Sequence, residues 1–363
     1  MVSFRTGLRS PVVWLALGLP LILACNFLAP APSTPPPDLL GTLQASTPVG
    51  DFPTQPPADF PTPQAEFPTL APTLPAQAGS VPAPSAADGL TGHIVYTCQV
   101  YKVQAADQIC IMNADGSGMR KLTTNNNVRH FYPSLSPDGQ SVLYSSFREQ
   151  NVYEIYRLQL SDGKVDRLTD KLGVLTAAEY APDGQSIVFA KGDPVTSRYQ
   201  IMLTNADGGN PKAVPDVSGW DPTWSPDGNQ ILFASASSGL VQLYSVDRSG
   251  KGLRQLTNLP SIRGRSDWSE DGQYIVTYSG EPWHREVYIM NGDGSNVRQL
   301  TPTGGNSQGP SISPDGKWVA FTAYFDHYGE DLGCEIYIIR VDGTDLRRLT
   351  NNDYCDYQPR WGP

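Results

Sequence analysis

The chain has 363 residues, with 33 prolines, 34 glycines and a formal net charge of −10 from 26 basic and 36 acidic side chains. That length allows one large domain or two ordinary ones. Its 17 Tyr, 11 Phe and 7 Trp can build a core and argue against wholesale disorder, while an acidic balance without a basic cluster argues against a nucleic-acid footprint. The prolines crowd between Asn26 and Leu90 and thin out afterwards, so two different materials are joined end to end.

Residues 1–25 read as an export signal. Arg5 and Arg9 form a basic start, and an apolar stretch runs from Val12 to Ala24, broken only by Gly18 and Pro20. It is too short for a comfortable membrane span. It ends in Ile22-Leu23-Ala24-Cys25, a small residue directly before a cysteine, which resembles the lipobox of bacterial lipoproteins. The resemblance implies cleavage before Cys25 and a diacylglycerol on its thiol. Such chains bind a membrane by burying methylenes, at about 0.8 kcal/mol each. The other readings are an uncut anchor, or a secretory signal with an incidental cysteine.

Residues 26–90 hold no Lys or Arg and five acids, Asp38, Asp51, Asp59, Glu66 and Asp88. A loose repeat appears as Asp51-Phe52-Pro53-Thr54, Asp59-Phe60-Pro61-Thr62 and Glu66-Phe67-Pro68-Thr69. Such a segment buries too little to offset its ordering entropy, and its prolines favour extended polyproline II. We expect a disordered spacer reaching at most about 200 Å at ~3.1 Å per residue. Docking or glycosylation at the Phe-Pro-Thr units is the alternative.

From His93 onward the chain is periodic. Turn tetrads recur as Ser136-Pro137-Asp138-Gly139, Ala181-Pro182-Asp183-Gly184, Ser225-Pro226-Asp227-Gly228, Ser269-Glu270-Asp271-Gly272 and Ser313-Pro314-Asp315-Gly316, 44 or 45 residues apart. A second marker closes the units at Leu122-Thr123, Leu168-Thr169, Leu256-Thr257, Leu300-Thr301 and Leu349-Thr350, with a degenerate copy at Ala213-Val214-Pro215. Short apolar runs such as Ile231-Leu232-Phe233 follow each turn, and alternating runs such as Glu286–Asn291 lead into Asp-Gly hairpins. Each unit therefore reads as four antiparallel strands, and a period of 40 to 50 with this content signals a propeller blade. Complete units start near Phe131, Ala177, Gly219, Arg265 and Gly309. His93-Ile94-Val95-Tyr96 lacks a first strand, and Tyr357–Trp361 is a first strand with nothing after it. Joined, the fragments make a composite blade that closes a ring of six and covers an exposed edge.

These markers resemble the propeller repeat of the TolB family, with Pro222-Thr223-Trp224-Ser225-Pro226-Asp227-Gly228 matching its consensus closely. The resemblance covers residues 93–363 and implies an all-β, six-bladed propeller spanning residues 91–363. The place of that family's separate α/β domain is taken here by the proline-rich spacer.

The catalytic motifs that match by letters fail on context. Gly305-Asn306-Ser307-Gln308-Gly309 fits a nucleophile elbow, but that motif needs a strand–turn–helix setting and this copy runs into a strand. Asn113–Ser117 and Asn291–Ser295 start like calcium loops but have Thr124 and Pro302 where the loop needs Glu. His130, His284 and His327 fall on one face by the strand count, yet in separate blades without a metal-ligand spacing, so we expect surface histidines and no metal or other cofactor. The turn aspartates serve backbone geometry. Tyr180, Trp224, Trp268 and Trp361 share one position and are expected to pack between blades.

The remaining candidates are the segments leading into each first strand, expected around one mouth of the central channel. Six residues before the turn Asp stand Tyr132, Ala177, Asp221, Arg265, Gly309 and Gln358; four before it stand Ser134, Glu179, Thr223, Asp267, Ser311 and Arg360. His130, Trp220, Arg263, Asp356 and Tyr357 lie close by. Aromatics mixed with both charges suit a protein or peptide partner. Export favours disulfides, and the strand count favours Cys98–Cys110 with Cys334–Cys355, with Cys98–Cys355 as rival. The leading expectation is a monomeric, lipid-anchored, non-catalytic propeller that binds a protein, a peptide or a cell-wall component outside the cell. A propeller lyase or hydrolase using the channel histidines and acids comes second, and a purely structural envelope protein third.

Overall fold

A computed structural model of the chain describes residues 89–100, 106–149, 152–193, 195–196, 198–262, 264–325 and 333–363. The export signal, Cys25 and most of the spacer lie outside these residues, as do Arg263 and His327.

Among the described residues every regular element is a strand. The first sheet joins the two ends of the folded region. Its members are β1 (His93–Gln99), β2 (Asp107–Asn113) and β3 (Arg120–Lys121), with β24 (Asp356–Gly362) on its inner side. The next two units are β4 (His130–Leu135), β5 (Ser141–Glu149), β6 (Val152–Gln159) and β7 (Val165–Arg167), then β8 (Val174–Tyr180), β9 (Ser186–Gly192), β10 (Tyr199–Asn205) and β11 (Lys212–Ser218). A single parallel bridge, Tyr153 to Val174, fuses them into one eight-stranded sheet. Three four-stranded sheets complete the fold: β12 (Trp220–Trp224) to β13 (Gln230–Ser235), β14 (Gln242–Asp247) and β15 (Arg254–Gln255); β16 (Asp267–Trp268) to β17 (Tyr274–Ser279), β18 (Glu286–Asn291) and β19 (Arg298–Gln299); and β20 (Gln308–Ile312) to β21 (Trp318–Ala323), β22 (Glu335–Arg340) and β23 (Arg347–Arg348). The inner strands neighbour one another in the circuit β24, β4, β8, β12, β16, β20 and back to β24. This is an all-β propeller, and its circuit closes where β24 pairs with β1, Trp361 opposite Ile94 and Asp356 opposite Cys98.

The four tetrads that begin with serine owe their form to one hydrogen-bond pattern, and the Ala181 tetrad keeps only its aspartate half, Gln185 N donating to Asp183 Oδ1 at 2.9 Å. In Ser225–Gly228 the serine hydroxyl donates to Asp227 Oδ1 at 2.6 Å, the same oxygen accepts from Asn229 N at 3.0 Å, and Gln230 N donates to Ser225 Oγ at 2.8 Å. The glycine then takes a φ of +67°, a region open to it because it has no Cβ. The Leu-Thr marker has an equally local cause. Thr301 Oγ1 accepts from Val287 N at 3.0 Å and donates to Glu286 Oε2 at 2.7 Å, and the same pair of bonds recurs at Thr169, Thr257 and Thr350. The acid or amide at or near the start of the third strand is thereby tied to the fourth. Pro215 has no such hydroxyl, and there the outer strand β11 runs seven residues where the others have two or three. Thr301→Val should therefore lower stability by about 1–3 kcal/mol, because it strips a buried carboxylate and a buried N–H of their shared partner. Thr301→Ser should stay close to the natural protein in the same urea titration.

The aromatics at the shared blade position pack between units, as expected. Trp361 meets Ile94 of its own sheet and Trp318, Ile336 and Ile338 of the last one. Trp224 packs with Val188 and Ile201 of the preceding unit. Both favoured disulfides are present, Cys98–Cys110 and Cys334–Cys355, and the second clips the start of β24 to the start of β22.

Candidate binding site in the central channel

The six inner strands line the channel, and most of them are bent where they enter it. The ladder slips between Phe131 and Ser134, Thr176 and Glu179, Trp220 and Thr223, Gln308 and Ser311, and opposite Val95–Thr97. At these bulges Tyr132, Ala177, Asp221 and Gln358 take φ values of 54°, 52°, 49° and 55°. A bulge re-aims its side chain, and a non-glycine residue in the left-handed region costs roughly 1–2 kcal/mol. The position six before each turn is thus a ring of mostly strained residues. In the fifth unit Gly264 stands beside that ring with a φ of 134°, and a Cβ there would meet Asp221 Oδ2 at 2.2 Å.

The sequence placed both polar sets around one mouth. The structure separates them along the channel, because two residues of extended strand advance about 6–7 Å. Tyr132, Asp221, Arg265, Tyr357 and Gln358 surround a narrow internal cavity of about 20 Å³. Ser134, Glu179, Thr223, Asp267 and Arg360 instead face a pocket of about 390 Å³ that opens on the side of the Pro-Asp-Gly turns. Tyr180, Trp224, Trp268 and Trp361 form its aromatic walls, so these side chains seal the blades and also line a site.

At the floor of this pocket Arg360 bridges two units across the channel. Its Nη2 lies 2.7 Å from Glu179 Oε2 and its Nη1 lies 3.2 Å from Asp267 Oδ1. Each acid also binds the unit that follows it: Thr223 Oγ1 donates to Glu179 at 2.6 Å, and Ser311 Oγ donates to Asp267 at 2.7 Å. Burial pushes the Glu179 carboxyl up, against the pull of Arg360. Burial alone would lower the Arg360 pKa, but Glu179, Asp267 and Asp221 outweigh it and keep the guanidinium charged. In the narrower level Arg265 donates to Pro133 O at 3.2 Å and its N–H donates to Asp221 Oδ2 at 2.9 Å. Burial and the nearby Arg360 pull its pKa down to about 10.

Two sequence candidates, His130 and Asp356, lie elsewhere than expected. His130 opens β4 and is buried, edge-on to Tyr144 with ring centroids 5.3 Å apart. Burial pulls its pKa down to about 4, so it is a neutral core histidine rather than a surface or channel group. Asp356 is buried behind the channel wall, where Asn352 Nδ2 donates to it at 2.8 Å. Trp220 sits half-buried against Tyr199, ring centroids 5.9 Å apart. His284 is exposed, and among the described residues no three metal-ligating side chains cluster. Ser307 of the elbow-like motif is fully buried and leads directly into β20. The sequence reading missed one polar group altogether: Tyr357 Oη donates to Asp107 Oδ1 at 2.8 Å, and Arg129 Nε pairs with the other oxygen at 2.7 Å. Asp107 and Arg129 belong to loops and strand ends outside the repeat markers, so no spacing rule marks them.

Burial, and then the neighbouring Glu335, raise the Asp356 pKa from 3.8 to about 7. Between those two values the folded protein holds a proton that the unfolded chain has released. The group therefore lowers stability as pH rises from about 4 to about 7, by roughly 1.4 kcal/mol for each pH step of one across that range. Asp356→Asn should flatten this part of the stability–pH curve and raise the melting temperature more at pH 8 than at pH 4. Parallel curves for the two proteins over that range would contradict the assignment.

Comparison with known proteins agrees with this architecture. The PD40 family, described as TolB beta propeller domain, matches residues 196–330. An uncharacterized protein of Agrobacterium fabrum is 28% identical over 161 residues, which are 42% of this chain and 53% of that protein. The Tol-Pal system protein TolB of Coxiella burnetii is 30% identical over 132 residues, 35% of this chain and 29% of the relative. The chain thus spans about half of the first relative and under a third of the second. The crystal structure of TolB from Acinetobacter baumannii superposes with a TM-score of 0.66 at 24% identity, covering 76% of this chain and 67% of that one, a likeness of fold. Repeat markers and sheet order thus describe a β-propeller, and the chain is similar to TolB-type propellers, with the family match lying within residues 196–330.

Proposed function

We propose that the chain is an exported, lipid-anchored propeller that binds a protein or peptide partner in its turn-side pocket without catalysing a reaction on it. The observation that carries this reading is the pocket itself: about 390 Å³, walled by Tyr180, Trp224, Trp268 and Trp361 around the Arg360 ion pairs. Tyr, Trp and Arg are the residues that most often dominate binding energy at protein interfaces. Glu179 and Asp267 are each held by Arg360 and by a neighbouring hydroxyl, an arrangement that fixes shape rather than moving protons. We count six blades in a monomeric ring, taking the eight-stranded sheet as two. The two disulfides agree with export, since thiols oxidise outside the cytoplasm. A relative named as a Tol-Pal system protein agrees with a protein partner. Cys25 carries the lipid in this reading, residues 26–90 link it to the propeller, and no cofactor takes part.

Two experiments test it. Glu270 and Pro182 both line the pocket and are exposed, so Glu270→Lys with Pro182→Lys should leave the melting temperature in place. A co-purifying partner should then bind at least about 30-fold more weakly, the scale of a lost hot spot of 2 kcal/mol. Unchanged capture, or turnover of the captured molecule, would count against the reading. Cys25→Ser should release the protein from membranes or leave its signal uncut; unchanged membrane retention and unchanged mass would reject the lipid anchor.

A further inference from the structure

The described chain begins at the rim of the turn-side pocket. Trp361 Nε1 donates to Thr91 O at 2.9 Å, and Leu90 packs against the cluster that contains Trp361. His93 Nδ1 lies 3.1 Å from the carbonyl of Pro363. Trp361, Gly362 and Pro363 all line the pocket. The segment that precedes Gly89 therefore starts beside the opening, and a polyproline II chain of six or seven residues spans about 20 Å, enough to cross it.

The chemistry of that segment fits. From Pro68 to Ala87 the chain has five prolines and no charged residue. Extended proline-rich peptides dock in grooves walled by aromatic rings, because their backbone is already ordered and loses little entropy on binding. Trp224, Trp268 and Tyr180 supply such walls, with Pro182 and Pro226 beside them. Charge selects which part of the spacer enters. Glu179, Asp267 and Glu270 face the pocket against the single cation Arg360, so the local balance is negative. The units carrying Asp51, Asp59 and Glu66 are repelled, whereas the neutral stretch is not.

We propose that residues 68–87 of this same chain occupy the turn-side pocket when no partner is bound, so that a partner must displace them. This rests on the pocket being the binding site proposed above. Tethering places the stretch at a millimolar effective concentration, so a peptide affinity near 100 µM gives about tenfold protection of the pocket.

The test compares three full-length proteins by hydrogen–deuterium exchange at the turn segments 136–140, 181–184, 225–228 and 269–272. One is natural. The second has 68–87 replaced by Gly-Ser of equal length. The third carries Gln77→Glu, Ser80→Glu and Ser85→Glu. None of these changes touches the described fold. The expected result is exchange about tenfold faster in both variants, independent of protein concentration, with a synthetic 68–87 peptide restoring protection and its triple-Glu version failing to. Equal exchange in all three proteins, with no binding of the peptide to the Gly-Ser variant, overturns the proposal. Protection that grows with protein concentration overturns it too, by assigning the stretch to a second copy. Equal exchange with partner capture still lost in the Glu270→Lys, Pro182→Lys protein rejects the tether alone. Tether protection with capture intact in that protein rejects the partner site and leaves the tether in place.

Discussion

Replacing Arg360 with Met should destabilise the propeller by about 3–5 kcal/mol, the scale for removing one partner of a buried ion pair. The loss comes less from the bonds themselves than from what is left behind. Arg360 is 7% exposed and holds Glu179 from one side and Asp267 from the other. Without it two carboxylates remain in a buried channel with only hydroxyl and N–H donors. Arg360→Lys should recover part of the loss, because one ammonium cannot match both geometries of a planar guanidinium. A triple variant adding Glu179→Gln and Asp267→Asn should recover more, since no uncompensated charge remains. A guanidinium titration at pH 7.5 checks all three, and a loss below about 1 kcal/mol for Arg360→Met would contradict the buried-pair argument.

Deleting residues 355–363 should have a comparable or larger effect and unfold the ring as a unit. The deletion exposes the inner edge of β1 and removes Trp361 from the packing between the first and last sheets. A buried aromatic of that size contributes about 3 kcal/mol or more. It also removes Arg360, the Tyr357–Asp107 bond, and Gln358, whose Oε1 accepts from Thr97 Oγ1 at 3.1 Å and Tyr132 N at 3.0 Å. Against a net stability of roughly 5–15 kcal/mol for a domain, little would remain. Cys355 goes with the segment, so the control is Cys334→Ser with Cys355→Ser. If the deleted protein melts like that control, β24 does not close the ring.

Much of this fold was legible because its markers are local. Asp-Gly turns and Leu-Thr ends are fixed by bonds within one unit, such as Ser225 to Asp227 and Thr301 to Glu286. The same counting gave the composite sheet and the disulfide pairs. The site was legible only in part. The residue types were found, but their height in the channel was not. Tyr132, Asp221 and Gln358 adopt left-handed backbone inside bulges, and nothing in a Tyr, Asp or Gln signals that. His130 and Asp356 were misplaced for a related reason: their burial depends on neighbours far along the chain. The turn-side pocket was missed because Trp224, Trp268 and Trp361 were counted as packing alone, when all three also line it.

The central claim is that this pocket holds a protein or peptide. A photo-crosslinking residue at Glu270, inside the pocket, can be compared in native membranes with one at Val165, an exposed outer-strand position. The account predicts a discrete adduct from position 270, with a partner or with the chain's own residues 68–87, and none from position 165. No adduct from 270, or the same adducts from both positions, would contradict it.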